Sequence, residues 1–425
     1  MKIFLDTIGC RLNTAEMETL ARQFRAAGHQ IVPTPEQADL AVVNTCAVTT
    51  QAASDSRSAI RRAARQGAGK VVVTGCWGTL EPENAVNLPG VFRLILNQEK
   101  DMLAAGILNM PLTVFDLEPL AREPLPGAHH RTRAFIKAQD GCDNACTFCV
   151  SRLARGPSRS RSLQDITRDV QAALAGGTVE IVLTGVHLGS WGKDLLPVSQ
   201  LSRLAAGLLE KTAVPRLRLS SLEPWDLEAE FFALWRDPRL CRHLHLPLQS
   251  GSPSVLKRMG RKTSPEQFAD LVRAARTAIP EVAITTDLIA GFPGETELEF
   301  NETLDFVRRT GFSAGHVFHF SPRPGTVAAL MKDRVRGETA RQRSRLLRQA
   351  LADSAKTYHA NFIGKQLQVL WESVSPATGA GWQLEGLTDN YIRVTAFSSQ
   401  PRWNHLDQVL LLSADENGCR GELLP

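Results

Sequence analysis

Cys142, Cys146 and Cys149 fall in the run GCDNACTFC, a CxxxCxxC spacing that brings three thiolates within reach of one inorganic cluster. A four-iron cubane held by three side chains keeps one iron without a protein ligand. That iron can bind a substrate or cofactor, much as an open zinc site keeps a position for water. A zinc knuckle or buried structural thiols are the plainer alternatives. Zinc motifs commonly add a fourth nearby Cys or His, and none follows within roughly 35 residues. Cys10, Cys46 and Cys76 are distant in sequence but alike in context, each closing a short run: DTIGC, VVNTC and VVTGC. If those runs are neighbouring parallel strands, their carboxyl ends converge on one crevice and make a second three-thiolate site. Burial of three cysteines in similar loops is the competing explanation. Cys241 and Cys419 have no such companions and read as structural.

The elements that must hold these residues alternate between strand and helix. KIFLDT (2–7), LAVVNT (40–45) and KVVVTG (70–75) read as strands buried on both faces, with helices over 14–28 and about 51–66. The run DLEPLAREPLPGAHH (116–130) has three prolines and no periodicity, and reads as a linker. Six further strands are expected at 134–139, 180–185, 216–220, 243–248, 282–289 and 315–320. Helical patterns follow most of them, at 163–175, 199–211, 264–278 and 296–310, and a basic helix runs over about 336–360. Six strand–helix units imply a complete or partial parallel barrel, whose chemistry belongs on the loops after the strands. QLQVLWES, GWQLEGLT, YIRVTAF and QVLLLSA, broken by Gly, Pro, Asn and Asp, predict a small β-barrel or sandwich. The fold class is therefore α/β: an open parallel sheet over 1–125, a partial (βα)6 barrel over 131–358 and a small β unit over 359–425.

Composition narrows the options. With 43% hydrophobic and 22% charged residues in 425, the chain builds large cores and is not globally disordered. No apolar run approaches the roughly 20 residues of a membrane helix. The start, MKIFLDTIGCRLN, lacks a signal-peptide pattern, so a cytoplasmic location is expected and eight cysteines favour metal or catalysis over disulfides. The net charge of +5 is uneven: residues 331–360 hold eight Lys or Arg against three Asp or Glu, whereas 361–425 hold four against seven. Positive charge in the middle of the chain would steer an anionic partner there.

CxxxCxxC resembles the signature of radical S-adenosylmethionine enzymes. The ordered set TIGCRLNTAEMETL, VVNTCAVT, VVTGC, QDGCDNACTFC, LARGPSRSRS, LTGVHLGSWG, HLPLQSGS and TDLIAGFPGET resembles the methylthiotransferase family over essentially the whole chain. LNTAEMETL around Glu16 and Glu18, and TGVHLGSWG around His187, look most like the subfamily that modifies N6-threonylcarbamoyladenosine at tRNA position 37. Trp77 and Trp191 replace expected tyrosines, and Val150-Ser151-Arg152-Leu153 departs from the usual Ile-Ile-Pro-Tyr.

The resemblance implies two 4Fe-4S clusters and S-adenosylmethionine. Cys142, Cys146 and Cys149 would hold the cluster that cleaves the cofactor to a 5′-deoxyadenosyl radical. Cys10, Cys46 and Cys76 would hold an auxiliary cluster carrying the sulfur, and both trios should face one chamber. By the same carry-over Phe148 packs beside the cofactor adenine, Gly185 lets its amino acid approach the backbone, and Ser220, Ser221 and Glu223 meet ribose and carboxylate. Gln249 and Asp287 complete the set, although barrel packing or turn chemistry would explain each position equally. Implied partners are tRNA, an electron donor such as flavodoxin or ferredoxin, and a sulfur donor the sequence does not identify; no membrane is implied.

Arg152, Arg155, Arg159 and Arg161 are candidates for RNA phosphates. Arg341, Arg345 and Arg348 share one helix face, which a solvated surface explains as well. The C-terminal unit resembles the TRAM domain, where Lys365, Arg393, Tyr391 and Trp403 would make local RNA contacts. Competing functions are a methylthiotransferase for isopentenyladenosine tRNA or a ribosomal-protein side chain, and a non-catalytic RNA-binding protein with structural metal.

Overall fold

The computed structural model describes residues 1–111, 132–377 and 381–424; the linker expected over 116–130 lies outside them. The first unit is a five-stranded, wholly parallel sheet. Its spatial order is Gln30–Val32, Lys2–Thr7, Leu40–Thr45, Val71–Gly75, Val91–Leu94. The two strands at 40–45 and 71–75 are buried along their whole length, because helices cover both faces. Arg11–Ala26 turns Met17, Leu20 and Phe24 onto one face, and Thr50–Arg65 turns Ala53, Ile60 and Ala63 onto the other. The Thr49 hydroxyl caps the latter by accepting from Ala52 N–H at 3.1 Å.

Six parallel strands form the central unit: Arg133–Lys137, Glu180–Thr184, Arg216–Leu219, His243–His245, Ala283–Ala290 and Ala314–His319. They pair as two sheets of three, joined by the single parallel bridges Leu217↔Leu240 and Ser221↔His245. The result is an open partial barrel of the expected strand number. Its outer helices, Leu163–Ala175, Leu201–Lys211, Pro265–Ala278 and Glu297–Thr310, lie within two residues of their expected bounds. Capping boxes at Ser264/Gln267 and Thr296/Glu299 fix the starts of the last two. Between the third and fourth strands a 3₁₀ segment, Ala229–Arg236, stands in place of an α-helix. The core is continuous, running from Ile136, Ile181 and Leu217 to Phe268, Phe306 and Phe312. Each such side chain contributes about 2 kcal/mol by burial.

The helix Gly337–Ala360 leads to a closed five-stranded barrel in the order 366–376, 382–388, 393–398, 419–423, 406–414, centred on the fully buried Trp371. Trp371 Nε1 donates to Asp407 at 2.8 Å. Among the described residues no helix is long and apolar enough to cross a membrane.

Candidate active site

Each cysteine of the dispersed trio sits where its strand ends. Cys10 is the residue before helix Arg11–Ala26, Cys46 follows Thr45, and Cys76 opens the short helix after Gly75. Two glycines let these loops converge. A Cβ on Gly9 (φ +106°) would lie 2.6 Å from Cys46 Cβ and Sγ, and one on Gly75 (φ +98°) would lie 2.3 Å from Thr45 O. The three cysteines line a chamber of about 600 Å³, walled opposite by barrel residues including Ser220, His245, Thr285 and Asp287. Cys46 and Cys76 are buried, while Cys10 is exposed towards the chamber and enclosed by protein elsewhere. Burial pushes the Cys46 thiol up to about 11 and raises Cys10; the nearby Arg155 guanidinium opposes both shifts.

The second trio lies on the loop after the first barrel strand. Its sulfurs already accept donors: Asn144 N–H to Cys142 at 3.4 Å, Ser151 N–H to Cys149 at 3.4 Å and Arg261 Nη1 to Cys146 at 3.8 Å. Arg261 in turn grips Glu223 at 2.7 and 3.1 Å and Pro247 O at 2.6 Å, and stacks 4.5 Å from the Trp225 ring. Burial opposes charging of His187, but hydrogen bonding to Asp226 and Cys142 outweighs it and lifts the ring to about 9. The loop thiols do not themselves wall the chamber; Ser151 does, beside Cys149.

The donor sets suit iron–sulfur clusters. Each trio supplies three soft sulfur ligands, and the loop trio meets hydrogen-bond donors of the kind that favour thiolate over thiol. Among the described residues no three Cys, His, Asp or Glu side chains close tightly enough for a single metal ion. A cubane, with ligands at its corners, asks for a wider spread. Two buried polar atoms on the chamber wall, Ser220 Oγ and Asp287 Oδ1, have no protein partner and are available to a polar ligand.

The other expected cofactor residues divide. Ser221 and Gly185 line the chamber, although a Cβ on Gly185 would first meet Gln139 Oε1 at 2.8 Å, so packing also requires that glycine. Glu223 stands beside the loop trio through Arg261. Gln249 is not on the chamber wall; in a left-handed conformation (φ +74°), its backbone bonds Asp287 O and Ile289 N. Phe148, within the loop, packs edge-on to Phe292 (6.5 Å) against the cluster of Val255 and Met259, and is not a chamber residue.

One RNA assignment is overturned. Arg155 is 2% exposed and holds Glu16 at 2.8 Å, Asp140 at 2.9 Å and Asn13 at 2.7 Å, so it offers nothing to a phosphate outside. Arg161 is tied to Asp169 and Lys137 O, and Arg159 to Arg155 O; both keep part of the side chain in solvent. Arg341, Arg345 and Arg348 are exposed along one helix face, the last donating to Val317 O at 3.2 Å. Lys365 is paired with Glu281 at 2.7 Å, and Arg393 is exposed and reaches the chamber wall.

Sequence reading missed Arg261; Lys100, which donates to Glu16 at 2.8 Å; and Asn97, whose Nδ2 donates to Cys76 Sγ at 3.6 Å; none belongs to a motif quoted above. It placed Tyr391 on an RNA surface, whereas the ring stacks on His243 (4.0 Å, 8°) in the chamber. A larger groove of about 1160 Å³ lies between helices Pro265–Ala278 and Glu297–Thr310; no cysteine lines it.

Residues 136–307 match the Radical SAM superfamily, and residues 2–97 match "Uncharacterized protein family UPF0004". The chain is 36% identical, over 97% of its length and 94% of the relative's, to a Bacillus subtilis protein named threonylcarbamoyladenosine tRNA methylthiotransferase MtaB. A Thermotoga maritima protein of the same name is 39% identical over 87% and 86%. An Anaplasma marginale protein named tRNA-2-methylthio-N(6)-dimethylallyladenosine synthase is 32% identical over 87% and 84%. In fold the chain is similar to the radical S-adenosylmethionine methyltransferase TsrM of Kitasatospora setae, with a TM-score of 0.56, 14% identity and 77% of each chain covered.

Proposed function

This chain belongs to the radical S-adenosylmethionine methylthiotransferase family acting on tRNA, and on that premise we propose that its substrate base is N6-threonylcarbamoyladenosine at position 37, methylthiolated at carbon 2. The observation that carries the reading is the chamber itself: Cys10, Cys46 and Cys76 line it across from barrel residues at the strand ends, over about 600 Å³, with Ser151 of the cysteine loop on its wall. Two relatives named for threonylcarbamoyladenosine, at 36% and 39% identity, stand above the dimethylallyl-named one at 32%, although a third of the former name is also at 32%; the two favour that base.

In this reading Cys142, Cys146 and Cys149 hold the cofactor-cleaving cluster and Cys10, Cys46 and Cys76 the auxiliary one. When bound, the clusters and S-adenosylmethionine supply the electron, the radical and the methylated sulfur. The chain supplies placement. Arg261 fixes Glu223 against the loop trio, where the carboxylate receives a cationic or hydroxylated part of the cofactor. Ser220 and Asp287 offer their unpaired oxygens from the opposite wall. The units 1–125, 131–358 and 359–425 then act as sulfur carrier, radical generator and RNA-facing wall.

Mass spectrometry of tRNA nucleosides from a strain lacking this chain tests the reading. The methylthio form of threonylcarbamoyladenosine disappears and returns with the wild-type gene. Persistence of that nucleoside, with loss of the methylthio isopentenyl form instead, would overturn it.

A further inference from the structure

Besides its cysteines the chamber carries an excess of basic side chains. Three arginines, Arg11, Arg155 and Arg393, line it against a single carboxylate, Asp287. Arg155 is committed to Glu16 and Asp140, and it is the arginine that acts on the thiols of Cys10 and Cys46. Arg11 has a different neighbour. Its Nη2 donates at 2.8 Å to the hydroxyl of Tyr391, an uncharged acceptor. Among the described residues no carboxylate lies within ion-pair reach of Arg11 or Arg393.

Tyr391 is held where it is at some cost. Its backbone is left-handed (φ +64°), a conformation that disfavours a residue of this size. The turn carrying it is clamped to the barrel: Arg218 donates to Thr388 O and Asp389 O, and Arg242 forks onto the Asp389 carboxylate at 2.7 and 3.0 Å. The ring lies flat on His243. A rigidly placed hydroxyl therefore orients one edge of the Arg11 guanidinium. The remaining donors of that fork are left for a planar, two-oxygen anion.

Arg11 follows Cys10 directly, so it stands beside the trio to which adenine carbon 2 must come. The N6 substituent leaves the same ring only a few ångströms away, roughly one ring width, whereas the backbone phosphates of a flipped nucleotide stay towards the mouth. We propose that Arg11, oriented by Tyr391 and assisted by Arg393, is a carboxylate-reading subsite that pairs with the threonine carboxylate on N6 and so selects against bases with an apolar substituent. This rests on the substrate reading above.

The test uses the iron-loaded enzyme and anticodon stem-loop RNAs bearing, at position 37, threonylcarbamoyladenosine, its methyl ester or isopentenyladenosine, with dissociation constants read by fluorescence anisotropy. Wild type should bind the acid about tenfold or more tighter than the ester, the size of a charge-assisted contact. Arg11→Gln should bring that ratio to about one, with ester affinity changed less than about twofold. Because Arg11 adjoins Cys10, iron content is measured alongside. Tyr391→Phe and the exposed Arg393→Gln should each lower the ratio without loss of iron. Equal weakening of acid and ester by Arg11→Gln would mean a phosphate contact and overturn the inference. Retention of the acid preference in all three variants would overturn it while leaving the substrate reading intact. A wild-type preference for the isopentenyl RNA would sink both.

Discussion

The guanidinium of Arg155 and the carboxylate of Glu16 meet at 2.8 Å across the seam between the first sheet and the barrel, each side chain 3% exposed. Lys100 reaches the same carboxylate at 2.8 Å, and Asn44 donates to it at 3.1 Å. Arg155 ends the helix just beyond the cysteine loop, and Glu16 lies on the helix that follows Cys10, so this pair ties the two trios together. Glu16→Gln leaves two buried cations short of an anion. It should cost about 3–5 kcal/mol of stability, read as the denaturant midpoint of the loaded enzyme. A loss below about 1 kcal/mol would show that the pair is dispensable.

Acid should weaken the fold through a second buried carboxylate. Burial would raise Glu180, but Arg218 at 2.7 Å and Arg216 at 3.1 Å outweigh it and hold the group at about 2, against an ordinary 4.5. A folded value below the unfolded one means stability that is complete above about 4.5 and lost as pH falls towards 2, on the order of 3 kcal/mol in all. Thermal midpoints between pH 6 and pH 3, in steps of about 0.5, should fall more steeply for wild type than for Glu180→Gln. Parallel curves would contradict this.

Much of the architecture is legible in sequence because buried parallel strands are continuous apolar runs, as in LAVVNT and VVVTG. Gln30–Val32 and Val91–Leu94 escape that signal: they are three- and four-residue edge strands, and the latter has no fully buried position. The cysteines are legible through their repeated strand-end context. Arg155 is not, since an arginine in a basic run looks solvated until Glu16, 139 residues earlier, is known to face it. Tyr391 is hidden likewise, its partners Arg11 and His243 lying on two other units.

Cys46→Ala and Cys142→Ala should separate the trios. The first should cut bound iron from about eight atoms to about four and abolish methylthio transfer while reductive cleavage of S-adenosylmethionine persists. The second should lose both activities. Iron analysis with a cleavage assay decides; if Cys46→Ala keeps its full iron, the dispersed trio is not a ligand set.

Gly9→Ala should act on the same site without removing a ligand. The new Cβ would sit 2.6 Å from Cys46 Sγ at a backbone angle of +106°. We expect about half the iron to be lost and stability to fall by about 1–3 kcal/mol. Full iron occupancy would mean that the loops give way more easily than the contact implies.

Arg261→Met removes the donor to Cys146 and both bonds to Glu223. Loss of a hydrogen bond to a ligand sulfur should shift the loop cluster to a more negative potential, seen by redox titration with electron paramagnetic resonance. Cofactor cleavage should drop about 10–100-fold. An unchanged potential with slower cleavage would confine Arg261 to orienting Glu223.

The clamp of Arg216, Arg218 and Arg242 on residues 387–389 makes the C-terminal barrel part of the inner lining rather than an appendage. Exchange of that barrel is therefore not neutral for this chain. A terminal barrel grafted in its place would have to rebuild both that clamp and the contact of Tyr391 with Arg11. Such a chimera would alter the wall of the chamber and not only the outer surface of the protein.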